Sequence, residues 1–156
     1  MAFLETTLGK LLITAFWGMV PVLELRGAIP IGVAHGLDPW EACAAAVAGN
    51  MLPVPFLILL TRRVFDWLRK TPLLGPKILW LENRAHLKGR VVRKYRLLGL
   101  TVLVAIPLPG TGAWTGALVA SVLDIRLREA VPSIFLGVII AGLIITGVTI
   151  GVVRLF

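Results

Sequence analysis

Apolar residues run from position 8 to position 22 before Glu24, Arg26 and Pro30 interrupt them, and a short apolar piece then continues to Leu37. A helix over 8–22 reaches only about 22 Å, short of the roughly 30 Å hydrocarbon layer of a bilayer. The pattern predicts a helix that enters a membrane, breaks near mid-depth, and either turns back or continues as a discontinuous helix. Asp38-Pro39-Trp40-Glu41 has the form of a helix start, with Asp at the cap, Pro in the first helical position and Glu three residues after the cap. The helix it opens is predicted to run to about Thr61, long enough to cross, with Arg62-Arg63 at its cytoplasmic end.

From 62 to 96, Val64, Phe65, Trp67, Leu68 and Ile78-Leu79-Trp80-Leu81 are set among many cations. That mixture suits amphipathic helices lying in the headgroup layer, with Thr71-Pro72 and Gly75-Pro76 between them, or a soluble helix pair packed on the membrane domain. Residues 97–106 are apolar again. The break Pro107-Leu108-Pro109-Gly110-Thr111-Gly112 follows, and an apolar return runs from Ala113 to Leu123. This is either a second broken hairpin or a kink in one spanning helix over 97–123. Val131 to Val153 is an uninterrupted span ending in Arg154.

The two halves share a plan: an apolar stretch, a Pro/Gly break, a Leu-Asp pair (Leu37-Asp38, Leu123-Asp124), a Glu-Ala helix start (Glu41-Ala42, Glu129-Ala130) and a full crossing. Paired broken segments at corresponding positions point to an inverted-repeat transporter. The expected fold is an all-α integral membrane protein, an inverted repeat of a re-entrant hairpin plus a transmembrane helix. Its expected divisions are 1–61, 62–96 and 97–156, the middle one holding interfacial amphipathic helices.

Composition fits that solvent. The chain is 58% hydrophobic and 15% charged over 156 residues, well outside the roughly 45–50% apolar content of soluble domains. A bilayer offers no partner to free peptide groups, and the apolar runs are too long and uniform for barrel strands, so the spans are helices. Cys43 sits in the alanine-rich run Ala42–Ala48 and reads as a small packing residue, with no disulfide framework, metal site or cofactor motif beside it. The start Met-Ala-Phe-Leu-Glu-Thr-Thr lacks a basic run, so the first apolar segment is expected to remain.

Charge sets the expected topology. Of the net +8, residues 62–96 carry eleven Lys/Arg against Asp66 and Glu82, so the rest of the chain is slightly acidic. A basic stretch between spans is a cytoplasmic loop facing anionic head groups rather than a nucleic-acid surface. With it inside, Asp38 lies outside, the first hairpin dips in from outside, the second from the cytoplasm, and both termini lie outside. The expected location is the cytoplasmic (inner) membrane, with several passes.

The candidate chemistry lies at the breaks. Glu24 and Arg26 are charges well inside the first apolar segment, where each costs roughly 2.5–3.5 kcal/mol on insertion scales. Either Glu24 accepts a coupling proton while Arg26 binds an anionic group, or the two pair with each other or with polar groups of the other hairpin. On a regular helix they would point to different sides, whereas an unwound stretch lets both face one cavity. At the second break Pro107 and Pro109 remove amide donors, Gly110 and Gly112 let the backbone open, and Thr111 and Thr115 add hydroxyls. A half-helix beginning near Ala113 would aim its positive end there. Asn50, just before Pro53-Val54-Pro55, lines the same cavity or bonds a neighbouring helix. Trp114 is too deep for an interfacial belt and walls the path, while His35 and His86 take no catalytic part.

The motifs Glu24-Leu25-Arg26-Gly27-Ala28-Ile29-Pro30, Gly49-Asn50 and Pro107-Leu108-Pro109-Gly110-Thr111-Gly112-Ala113-Trp114-Thr115-Gly116 resemble those of the small multidrug export family. That family is distantly similar to the DedA superfamily of membrane transporters, and the resemblance implies re-entrant hairpins and an amphipathic or lipid-like cargo. The arginines flanking the Pro-Gly pair in DedA proteins are replaced here by Ile106 and Gly112, which leaves Arg26 as the anion-binding candidate. The expected function is a small proton-coupled secondary transporter, an exporter or lipid-carrier translocase, working as a homodimer. The alternatives are a non-transporting assembly or scaffold protein and a lipid-modifying enzyme. The enzyme is disfavoured because no cluster of Asp, His, Ser or metal-binding carboxylates is present.

Overall fold

The computed structural model describes residues 6–70, 76, 91–108 and 111–155. Among the described residues the protein is all-helical, with α1 (Thr7–Met19), α2 (Glu24–Ala34), α3 (Pro39–Met51), α4 (Val54–Arg69), α5 (Val91–Ala105), α6 (Ala113–Val122) and α7 (Leu127–Leu155). Most of the basic segment, including Thr71-Pro72, Gly75, Trp80 and His86, lies outside the described residues.

Two stretches, Pro39–Trp67 and Leu127–Leu155, are each long and apolar enough to cross a membrane. The first includes a step at Leu52-Pro53 between α3 and α4. Their outward faces carry Phe56, Leu59, Leu60, Leu136, Leu143 and Val148, all exposed. An outer surface of large apolar side chains suits lipid, not water. The other helices are shorter: at 1.5 Å per residue none of α1, α2, α5 or α6 reaches roughly 30 Å. Within each pair the helices are in contact, α1 with α2 and α5 with α6. The second break falls where predicted, so 97–123 is two helices, not one kinked rod.

The first break lies elsewhere than the charges suggest. It spans Val20–Leu23, whereas Pro30 sits inside α2 with an exposed ring. Pro21 marks the true interruption, since a proline within a helix removes a donor and clashes with the preceding turn. Pro30 is tolerated toward the far end of a short helix whose opposite face is packed. A second correction concerns α4, which continues past Thr61 to Arg69. The Arg62 guanidinium meets the end of α6, with Nη2 donating to the Ile125 carbonyl and standing 3.9 Å from the Asp124 carboxylate. Arg96 Nη1 donates to the Leu123 carbonyl at 3.4 Å. Cations here satisfy the carbonyl end of a helix, so the charge pair has no need to end its own helix.

The α3 start is built as the sequence predicts. Asp38 accepts the Trp40 amide at 2.9 Å, Glu41 reaches back to the Asp38 amide at 3.4 Å, and Pro39 opens the helix. The core is made of small residues. Ala28, Ala42, Ala46, Ala113, Ala117, Ala120 and Ala130 are fully buried with Ile29, Ile134 and Val138. Bare glycine faces let backbones touch: a Cβ on Gly18 would stand 2.7 Å from the Ala46 carbonyl oxygen, and one on Gly137 2.7 Å from that of Thr101. Gly147 and Gly151, on the same long helix as Gly137, face open space.

Candidate functional site

The tips of the two broken segments hold each other. α6 begins with Gly112 at its cap position, and glycine supplies no side-chain acceptor for the first free amides of a helix. Glu24 supplies it from across the fold. Its Oε1 accepts the Trp114 N–H at 3.2 Å, and the Ala113 amide also bonds the carboxyl group. A carboxylate is the favoured partner for the positive end of a helix.

Local geometry aims Glu24 at this task. It is the first residue of α2 and takes φ +44°, a left-handed conformation uncommon for a residue with a side chain. Such conformations persist where surrounding contacts hold them and gather at functional sites. Gly112 completes the fit: a Cβ there would overlap Glu24 Oε2, and its φ of +157° is one that side chains rarely adopt. Only glycine leaves the carboxylate room.

Three further bonds tie the breaks together. Arg26 Nη2 donates to the carbonyl of Thr111 and to its Oγ1, the latter at 3.0 Å. The same hydroxyl accepts the Leu108 amide at 3.2 Å and donates to the Ile106 carbonyl at 2.7 Å, knitting the second break. Trp114 Nε1 donates to the Met19 carbonyl at 3.1 Å, satisfying the last turn of α1. Glu24 is buried, at 7% exposure, Arg26 is half-buried beside it, and together these bonds form an acid–base interlock.

Behind it lies a small cavity of about 10 Å³, lined by Glu24, Leu25, Arg26, Asn50, Val104, Gly112, Ala113, Val138 and Ala141. Glu24 and Arg26 thus face one cavity although both belong to the first turn of a helix, because the left-handed Glu24 is turned away from the regular spiral. Of the sequence candidates, Glu24, Arg26, Asn50 and Gly112 line the cavity, while Thr111 and Trp114 bond across the breaks. Pro107 is half-buried at the start of the break and Thr115 half-buried on α6. Pro30 lies apart on the outer face of α2, and Pro109 and Gly110 are outside the described residues.

Leu25, Val104, Val138 and Ala141, which also line the cavity, and the Met19 carbonyl were not singled out by sequence. Apolar wall residues carry no chemical signature. That a helix starting after Gly112 lacks a side-chain acceptor was readable; that Glu24 supplies it, from 90 positions away, was not. A separate, larger groove of about 620 Å³ runs along α4, with Phe56, Leu57 and Leu60 on its floor and Arg62, Arg63 and Asp66 at one end.

A family model described as "Putative small multi-drug export protein" matches residues 24–144. The chain belongs to that family. The match begins at Glu24, just after the first break, and takes in the second, so Glu24, Arg26, Thr111 and Trp114 all fall within the small multi-drug export region. The family is one of export proteins, not of enzymes, which with the apolar helices marks a membrane protein. No curated protein and no solved structure matches the chain.

Proposed function

We propose that this small multi-drug export protein is a proton-coupled secondary transporter, and that the interlock of Glu24 with the start of α6 is its closed gate. The observation that carries the reading is a buried carboxylate, in an apolar bundle, capping a helix that belongs to the other half of the chain. Acidic residues placed in this way serve as proton relays in membrane pumps and transporters. Cavities for drug-sized ligands measure roughly 300–1,000 Å³, so cargo passes only when the interlock parts. Adding or removing the Glu24 proton changes its bond to Trp114 and biases that parting.

The two halves are read as an inverted repeat of re-entrant hairpin and crossing helix, in line with the distant likeness to DedA transporters. A repeated turn supports this. Gly36 at φ +85° and Asp124 at φ +49° each end a short helix, with Leu37 N–H bonded to the Gly32 carbonyl at 3.1 Å and Ile125 N–H to that of Ala120 at 2.9 Å. In that register Glu24 matches Gly112, and Asn50 matches Val138. The cargo is amphipathic or lipid-like: the α4 groove offers an apolar floor with Arg62 and Arg63 at one end, suited to an anionic head group. A homodimer would cover part of the apolar outer face of α7, where Leu136 and Leu143 are exposed.

In proteoliposomes loaded with ethidium, Glu24→Gln abolishes the pH dependence of efflux; unchanged pH dependence removes Glu24 from the mechanism. A second reading, a non-transporting scaffold, is favoured by the same bonds if they never part. It predicts no efflux of ethidium or of fluorescent phospholipid by the unaltered chain under any pH gradient.

A further inference from the structure

Asn50 is 1% exposed, and among the described residues neither its amide oxygen nor its amide nitrogen has a hydrogen-bond partner. A buried amide left so costs more than an ordinary hydrogen bond returns, so native structures satisfy such groups with protein or with ordered water. Asn50 lines the small cavity behind the interlock, and the cavity's size matches one small molecule: roughly 10–15 Å³ of such space admits a single water.

Charge selects among small occupants. A cation there would face the Arg26 guanidinium and the positive end of α6, and an anion would face the Glu24 carboxylate. A neutral molecule that both donates and accepts suits all of them. We infer that this cavity is a binding site for one water molecule, held between the Asn50 amide and the Glu24 carboxyl group. The Asn50 N–H donates to the water oxygen, and a water O–H donates to Glu24. The register that pairs Asn50 with Val138 makes the site one-sided: the first half brings the amide and the acid, the second half the apolar wall. The site itself does not depend on transport. Its use as the step through which a proton reaches Glu24 rests on the coupling role proposed above.

Infrared difference spectra of the purified protein in heavy-oxygen and ordinary water test it. The expected result is one sharp water O–H band that shifts with the isotope, and a Glu24 carboxyl band, identified by its loss in Glu24→Gln. Asn50→Leu fills the cavity, abolishes the water band and shifts the Glu24 band. Ala141→Val fills it from α7 without touching the amide and does the same, which guards against a fault peculiar to Asn50→Leu. A water band that survives both variants overturns the site, as does one that disappears when sodium replaces choline in the buffer, which would make it a cation site. If the water bands behave as expected while Glu24→Gln still transports with its pH dependence intact, the water site stands and the coupling role falls. If coupling depends on Glu24 but no isotope-sensitive band exists, the reverse holds.

Discussion

Gly112→Ala is expected to destabilise the protein by roughly 3 kcal/mol, an unusually large effect for one added methyl group. The new Cβ would overlap Glu24 Oε2 and lie 2.5 Å from its carboxyl carbon. The carboxylate is the free end of a side chain and can swing away, but it then leaves the Trp114 and Ala113 amides without their acceptor, since Gly112 offers no side-chain cap. Alanine at φ +157° adds backbone strain that no side-chain movement relieves. The two causes can be separated by a double-mutant cycle followed by chemical unfolding in detergent. Glu24→Ala removes the overlap, so Gly112→Ala should cost clearly less in that background, leaving the strain alone. Additive costs would mean that the two residues do not meet.

Gly49→Ala is expected to cost on the order of 2–3 kcal/mol for a different reason. A Cβ there would overlap the Ala15 carbonyl oxygen and lie 2.6 Å from the Ala15 carbonyl carbon and 2.7 Å from its Cα. Those are backbone atoms of α1, which cannot swing aside; the whole helix must back away from α3. The contact lies one residue from Asn50, so the displacement also loosens the cavity. Gly147→Ala supplies the control. Nothing lies within 4 Å of that position, and alanine is the better helix former, so the variant should unfold at the same point or about 0.5–1 kcal/mol later. Equal losses from Gly49→Ala and Gly147→Ala would contradict this packing.

What the sequence discloses depends on whether the signal is local. The capping box at Asp38–Glu41 is satisfied within four residues, so its pattern and its geometry coincide. The α6 start at Ala113 and the long apolar α7 were legible for the same reason. The first break was misplaced because Val20-Pro21-Val22-Leu23 is apolar, and the nearby charges drew the reading toward Glu24 and Pro30 instead. Arg62-Arg63 marks a membrane border by charge, yet α4 runs on, because the far end of α6 supplies a partner that lies far off in sequence. Glu24 and Arg26 were recognisable as charges needing a purpose. That one caps α6 and the other grips Thr111 rests on a fold that brings together residues 85 and 90 positions apart. No local periodicity carries that information.

The account turns on one hydrogen bond between the halves, and the backbone amide of Trp114 reports it directly. Amide resonances of the labelled protein in detergent micelles should show the Trp114 and Ala113 signals moving with pH through the titration of Glu24. In Glu24→Gln that pH response should vanish, while amides in the middle of α7 stay unchanged. A Trp114 amide indifferent both to pH and to Glu24→Gln would place the carboxylate elsewhere and contradict the interlock.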